Sequence, residues 1–355
     1  MKKVLFIVQS PKGISPGQRF RVELYEKTLR ENKIAFDIQS FIDKSTRKII
    51  YRKGYIFEKT FGVIKGFFKT FAGLIKIARY DFIVVYREAT PIGPPVFEWI
   101  FAKILRKKLI FDFDDSIWVP LVSDNNTWIR FLKCSWKIKY ICRWSYKVSV
   151  GNMFLYNYVI KYNKNVVLNP TCVDTEYRHN KIKSQDTNNV CIGWTGSFST
   201  LVYLNQVVEV LQELEKKYSF DFIVIADQNP KLPLKGFKFL KWNEETEITD
   251  LLQLNIGIMP LSDTEFERGK CGFKIIQFLA LGIPAVASPV GVNKKIINQN
   301  INGFLCETKE EWYAALEKLL CDKALRETMG AAGREEIEKN YSVKSNTQNF
   351  LSLFE

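Results

Sequence analysis

Short apolar runs alternate with helical stretches along this chain, and few architectures tolerate that alternation. Val4–Val8, Phe82–Tyr86 and Leu109–Phe113 read as buried strands, with Val148–Val150 and Asn165–Leu168 as weaker ones. Arg19–Asn32 and Pro95–Leu105 between them carry helical spacing. A βα alternation predicts a parallel sheet covered on both faces. The pattern restarts after the polar stretch 181–189. Val190–Trp194, Phe220–Ala226, Asn255–Met259 and Ala285–Ser288 read as strands, and Leu201–Tyr218, Phe273–Leu281 and Glu310–Leu320 as helices. The expectation is an α/β chain of two doubly wound Rossmann-like domains facing each other across a cleft, with ligands at the carboxyl ends of the strands. The first would cover 1–170 and the second 171–340. Residues 341–355 would pack back on the first.

Charge separates the halves. Residues 1–170 hold 31 Lys/Arg and 13 Asp/Glu, whereas 171–355 hold 21 and 25. The basic half should face something anionic. Seven cysteines without CxxC spacing and a single histidine, His179, argue against a zinc site. No run of about 18 apolar residues is present, so no transmembrane helix is expected. The odd cysteine count fits a reducing compartment, hence a cytoplasmic protein.

Four stretches could carry chemistry. In Pro11–Arg19, a flexible loop with Gly17 leads into a helix whose free N–H groups, with Arg19, suit a phosphate. It is not a GxGxxG fingerprint, and an ordinary loop is about as good a reading. At Phe111–Ser116 a buried strand ends in Asp112, Asp114 and Asp115. Carboxylates this close should repel and raise one pKa; they could orient sugar hydroxyls, act as a base or hold a metal, or Asp115 could simply cap a helix. Asp114 and Asp115 are the catalytic candidates. Gly193-Trp194-Thr195-Gly196-Ser197 follows the first strand of the second half, and its small residues allow close approach of a ligand to the backbone. In Gly269–Gln277, Lys270 and Lys274 stand four apart at a helix start with Gly272 and Phe273 between them; they should project together toward an anion, with Gln277 one turn on.

From this fourth stretch onward, through Ala280–Ser288, Gly291-Val292-Asn293 and Asn302-Gly303-Phe304-Leu305, the chain resembles the retaining family 4 glycosyltransferases of GT-B fold, the glycosyl transferases group 1. Pro170–Asp174 resembles their interdomain segment. Their usual pattern sets two glutamates eight positions apart; Gly269 and Gln277 stand there instead. The usual Arg and Lys after the first strand of the second domain are missing, with Ser197 and neutral neighbours in their place. The resemblance implies a nucleotide-diphosphate sugar as donor, bound by Trp194, Thr195, Gly196, Ser197, Gly272, Phe273 and Gln277 with Gly17 and Arg19. It implies a sugar passed with retention to a glycan or lipid-linked acceptor, the acceptor bound by 1–170 and the donor by 171–340, no metal, and Lys270 and Lys274 stabilising the departing diphosphate.

Residues 44–79 hold ten Lys/Arg and one acid, Glu58. Phe57, Phe61, Ile64, Phe68, Phe71 and Ile75 recur on one helical face. Lys59, Lys65, Lys69 and Lys76 lie elsewhere, and Gly62, Gly66 and Gly73 weaken the helix in isolation. Two expectations stand level: a basic amphipathic helix on anionic lipid at the inner face of the cell membrane, or a helix packed on the sheet with a solvated basic face. Arg130–Lys147, with Trp128, Trp136 and Trp144, could belong to the same surface. Competing readings are a non-catalytic binding protein on the same fold, a nucleic-acid binder suggested by charge alone, and, remotely, a metal-dependent transferase using Asp112 and Asp114. No nucleic-acid recognition motif is present.

Overall fold

The computed structural model describes residues 2–50, 52, 54–119 and 132–355. Twelve strands are described: β1 Lys3–Val8, β2 Ala35–Ser40, β3 Phe82–Tyr86, β4 Lys108–Phe113, β5 Lys147–Val150, β6 Val166–Leu168, β7 Cys191–Gly196, β8 Asp221–Ala226, β9 Phe237–Lys241, β10 Ile256–Met259, β11 Ala285–Ala287 and β12 Gly303–Leu305. They form two six-stranded sheets, ordered β2-β1-β3-β4-β5-β6 and β12-β11-β10-β7-β8-β9. Every pairing between them is parallel. The chain divides into two compact units, residues 1–171 with 347–355, and 172–346.

In the first unit the described helices are α1 Pro16–Arg21, α2 Glu26–Glu31, α3 Lys44–Ile49, α4 Ile56–Ile77, α5 Val96–Trp99, α6 Lys137–Trp144 and α7 Met153–Val159. The second has α8 Val208–Leu214, α9 Glu247–Leu251, α10 Glu265–Arg268, α11 Phe273–Ala280, α12 Asn293–Ile296, α13 Lys309–Cys321 and α14 Lys323–Asn340, and α15 Val343–Leu351 runs from the second unit into the first. The crossovers β2→β3, β3→β4 and β4→β5 all step the same way across the first sheet. Right-handed connections therefore place α4, α5 and α6 on one face. The opposite step, β1→β2, sends α1 and α2 to the other face. There Phe350 stacks on Tyr25 at 3.9 Å, and Phe354 meets Phe6 and Phe82 edge-on.

The central strands are buried at nearly every position, which is why their apolar runs stand out in the sequence. Edge strands β2 and β9 are half-buried and mixed in polarity, and neither is expected from hydrophobicity alone. The helix expected over Arg19–Asn32 is broken: Val22 adopts φ −120°, ψ −60°, and a 3-10 turn, Glu23–Tyr25, separates α1 from α2. The Arg21 side chain is drawn down into the sheet just before the break. Pro95–Leu105 is one turn of α-helix followed by a π-helical turn, Ile100–Ile104. Leu201–Tyr218 is a 3-10 stretch, Phe198–Gln206, followed by α8.

Of the two level expectations, that of the apolar face packed on the sheet is overturned at α4. Its apolar row faces outward: Phe57 is 88% exposed, Phe68 71% and Ile75 85%. The glycines thought to weaken it form its packing face, together with Thr70 and Ile77. Gly66 lies against Phe41 so closely that a Cβ would sit 2.8 Å from the ring, and at Gly73 it would sit 2.8 Å from Gln39 Oε1. A helix laid this near the layer beneath has room for hydrogen atoms only. Of the second basic-aromatic stretch, Trp128 and Arg130 lie outside the described residues, while Trp136 is exposed and Trp144 follows Tyr140 on α6.

Candidate functional site

In the first unit, polar groups converge at the carboxyl ends of β3 and β4. The expected repulsion among the aspartates does not hold, because Arg21 neutralises Asp112 and Arg87 lies between Asp114 and Asp115. Arg21 pairs with Asp112, donating from Nε at 3.0 Å, and also reaches Ser149 Oγ and the Asn169 carbonyl. Both partners are buried, so Asp112 is a structural anion beneath the site. Asp114 accepts from Tyr86 Oη at 2.8 Å and from Arg87 Nε and Nη2 at 3.0 and 2.9 Å. Arg87 also bridges to Asp115. Burial alone would raise the Asp114 carboxyl, but Arg87, Arg21 and the Tyr86 hydroxyl together hold it below the usual range. Burial pushes the Tyr86 phenol well up, so it stays a donor.

Arg87 was missed by sequence reasoning. It directly follows a fully buried strand and stands at φ +64°, in the left-handed region a non-glycine residue rarely occupies. A charged residue at the tip of an apolar run was the available signal. Gly17 belongs to the same cluster: a Cβ there would collide with the Tyr86 hydroxyl and lie 2.9 Å from Asp114 Oδ2. Arg19 is not a surface cation. It is buried, 5.1 Å from the Phe20 ring, on a helix of only six residues.

The second unit gathers its candidates where β7 ends and α11 begins. Gly272 takes φ +67° just ahead of α11, a conformation that lets the chain turn sharply into the helix. Lys270 and Lys274 are both half-buried and flank this turn. The Lys274 ammonium lies 5.1 Å from the centroid of the Trp194 ring on β7, and Lys270 lies 4.5 Å from Phe266 and 6.0 Å from Tyr203. Thr195 is buried beside Trp194, Gly196 is partly covered, and Ser197 is exposed with its hydroxyl 2.9 Å from that of Ser199. Asp227 accepts from the Phe198 amide at 2.6 Å, so the helix start after Ser197 already holds a carboxylate. Gln277, on α11 one turn beyond Lys274, is buried, and its Nε2 bonds to no described residue. Phe273 is half-buried between the two lysines.

A further carboxylate escaped the sequence reading. Glu267, buried on α10, accepts from Tyr203 Oη and Thr264 Oγ1. It thereby fixes the ring that faces Lys270. Among the described residues, no group of His, Cys, Asp and Glu is arranged to hold a metal ion.

Residues 178–336 match the family model for glycosyl transferases group 1. Glucosyltransferase 3 of Streptococcus parasanguinis is 29% identical over 99 residues, and spore coat protein SA of Bacillus subtilis (strain 168) 29% over 82. Those segments cover 27% and 22% of this chain, and only 30% and 22% of the two relatives. Among solved structures, sucrose-phosphate synthase from Thermosynechococcus elongatus superposes with a TM-score of 0.73 at 14% identity, covering 100% of this chain and 98% of that one. Anabaena Alr3699/HepE, solved in complex with UDP-glucose, gives 0.71 at 14% identity over 100% and 99%.

Proposed function

We propose, from a chain whose second unit is a glycosyl transferases group 1 domain and whose fold is GT-B, that it moves a sugar from a nucleotide-diphosphate donor to an acceptor hydroxyl. The observation that supports this best is the placing of Lys270 and Lys274 about the turn into α11, Lys274 against the Trp194 ring of β7 and Lys270 against the Phe266 ring of α10. Breaking the bond between the anomeric carbon and the diphosphate oxygen leaves the bonding electron pair on that oxygen and adds one negative charge to the leaving group. Fixed ammoniums and the first N–H groups of an eight-residue helix lower the energy of that charge without a metal ion. Trp194, Thr195, Gly196, Ser197, Gly272 and Phe273 would line the donor, and the Gln277 amide would bond its ribose or sugar. The UDP-glucose held by the Anabaena structure accords with such a donor.

In this reading the first unit receives the acceptor, a glycan or lipid-linked one. Asp114, with Asp115, orients its hydroxyl and accepts its proton; Arg87 pairs with both and holds the Asp114 carboxyl below the usual range. Transfer retains the anomeric configuration, and the place of action is cytoplasmic, at the inner face of the cell membrane. Incubating the chain with a panel of nucleotide sugars and measuring nucleoside diphosphate release tests the reaction, and turnover should survive EDTA. No release with any donor would sink it.

The second reading is a non-catalytic nucleotide-sugar-binding protein on the same fold. It is favoured by Gly269 and Gln277, which stand where the family pattern has glutamates. Donor protection against heat without diphosphate release would establish it.

A further inference from the structure

Helix α4 presents two opposite faces that differ in kind. Gly62, Gly66, Thr70, Gly73 and Ile77 are spaced by four or three and turn inward. Phe57, Phe61, Ile64, Phe68, Phe71 and Ile75, at the same spacings half a turn away, are all exposed. Six large apolar side chains along 22 residues form a continuous stripe, whereas scattered exposed hydrophobics are ordinary. Phe67 carries it toward α5 by packing on Phe97, and Val96 and Trp99 of α5 are exposed too.

Charge indicates what covers the stripe. Lys65, Lys69 and Lys76 follow one border of it, at spacings of four and seven. Lys65 pairs with Asp43 at 2.9 Å and Lys69 donates to the Ser40 carbonyl at 2.8 Å, so both stems are held alongside the helix. The surrounding 44–79 segment has ten basic residues and one acid. A protein partner's apolar groove would meet the stripe but leave the net positive charge of this segment unbalanced. A bilayer supplies both, with acyl chains for the phenylalanines and phosphates at the depth of the ammoniums. Trp99 is a residue type suited to the headgroup layer. Among the described residues no helix is long and apolar enough to cross a membrane, so α4 would lie in the surface plane.

We infer that the outward face of α4 is a docking surface for an anionic lipid bilayer, with the phenylalanine row inserted below the headgroups and the lysine border on their phosphates. This binding does not depend on sugar transfer, and the test reads it alone. The full chain is mixed with vesicles of phosphatidylcholine, or of phosphatidylcholine with phosphatidylglycerol, and the pelleted fraction is measured at low and high salt. Wild type should pellet with the anionic vesicles and be released by salt. The triple variant Phe61→Ser, Phe68→Ser, Phe71→Ser should lose at least tenfold in partition with an unchanged far-UV circular dichroism spectrum. Val202→Ser and Ile301→Ser, at exposed apolar residues of the other unit, should change nothing. Wild type remaining in the supernatant, or the triple variant pelleting undiminished, overturns the inference. So does a dimer in light scattering that the triple variant dissolves, since the stripe would then be covered by a second copy.

Discussion

The ammonium of Lys274 lies 5.1 Å from the centre of the Trp194 indole, which joins the first turn of α11 to the end of β7. The indole face attracts the cation and limits where its stem can swing. If that ammonium meets the leaving diphosphate, Lys274→Ala should lower nucleotide-sugar turnover by about 10²–10³-fold, the cost of one preorganised charge-stabilising group. Lys274→Arg should recover part of it. Lys270→Ala should behave like Lys274→Ala, and a variant at either position with full turnover would remove that lysine from the mechanism.

Arg21 and Asp112 form a buried pair, and removing one member leaves the other charge unsatisfied. Arg21→Met should destabilise the first unit by about 3–5 kcal/mol, read from urea unfolding. Arg21→Met combined with Asp112→Leu should restore most of that loss, because an apolar pair of similar volume is often no worse than the ions. A double variant as unstable as the single one would mean that Arg21 acts through Ser149 and Asn169 instead.

His179 is the only histidine, and burial lowers its pKa from 6.5 to about 3. The unfolded chain therefore takes up this proton first as pH falls. The stability linked to it is complete above pH 6.5 and is lost progressively down to about pH 3. In the middle of that window the slope should be about 1.4 kcal/mol per pH unit. His179→Gln should remove that component from the acid limb of an unfolding-versus-pH curve. An unchanged slope would show that other groups set it.

Gly66→Ala would ordinarily strengthen a helix by about 1 kcal/mol. Here the added methyl meets the Phe41 ring at 2.8 Å and the Phe41 carbonyl oxygen at 2.9 Å. Overpacking of this kind costs about 1–3 kcal/mol, so the variant should unfold at lower urea. A gain in stability would mean that α4 can move outward without penalty.

The two parallel sheets were legible because strands such as Ile83–Val85 and Phe222–Ile225 are buried on both sides and leave unbroken apolar runs. Edge strands β2 and β9 left no such mark. For α4 the spacing gave the helix and its two faces, but hydrophobicity left open which of them packs on the sheet. A row of glycines is silent in any hydrophobic count, and close approach of two backbones can outweigh side-chain burial in fixing how a helix sits. The spacing of Lys270 and Lys274 marked them as candidates. Arg87 showed only as a charge at the tip of an apolar run and Glu267 not at all, because their partners Asp114 and Tyr203 lie 27 and 64 residues away.

The last nine residues, 347–355, complete the first unit, while 172–346 form the second. The second unit is thus an insertion within the first. Until synthesis reaches Phe350 and Phe354, the rings of Tyr25 and Phe6 lack their cover. The lobe begun earliest on the ribosome is therefore finished last, and a nascent chain must shield that bare patch while the whole inserted lobe is being made.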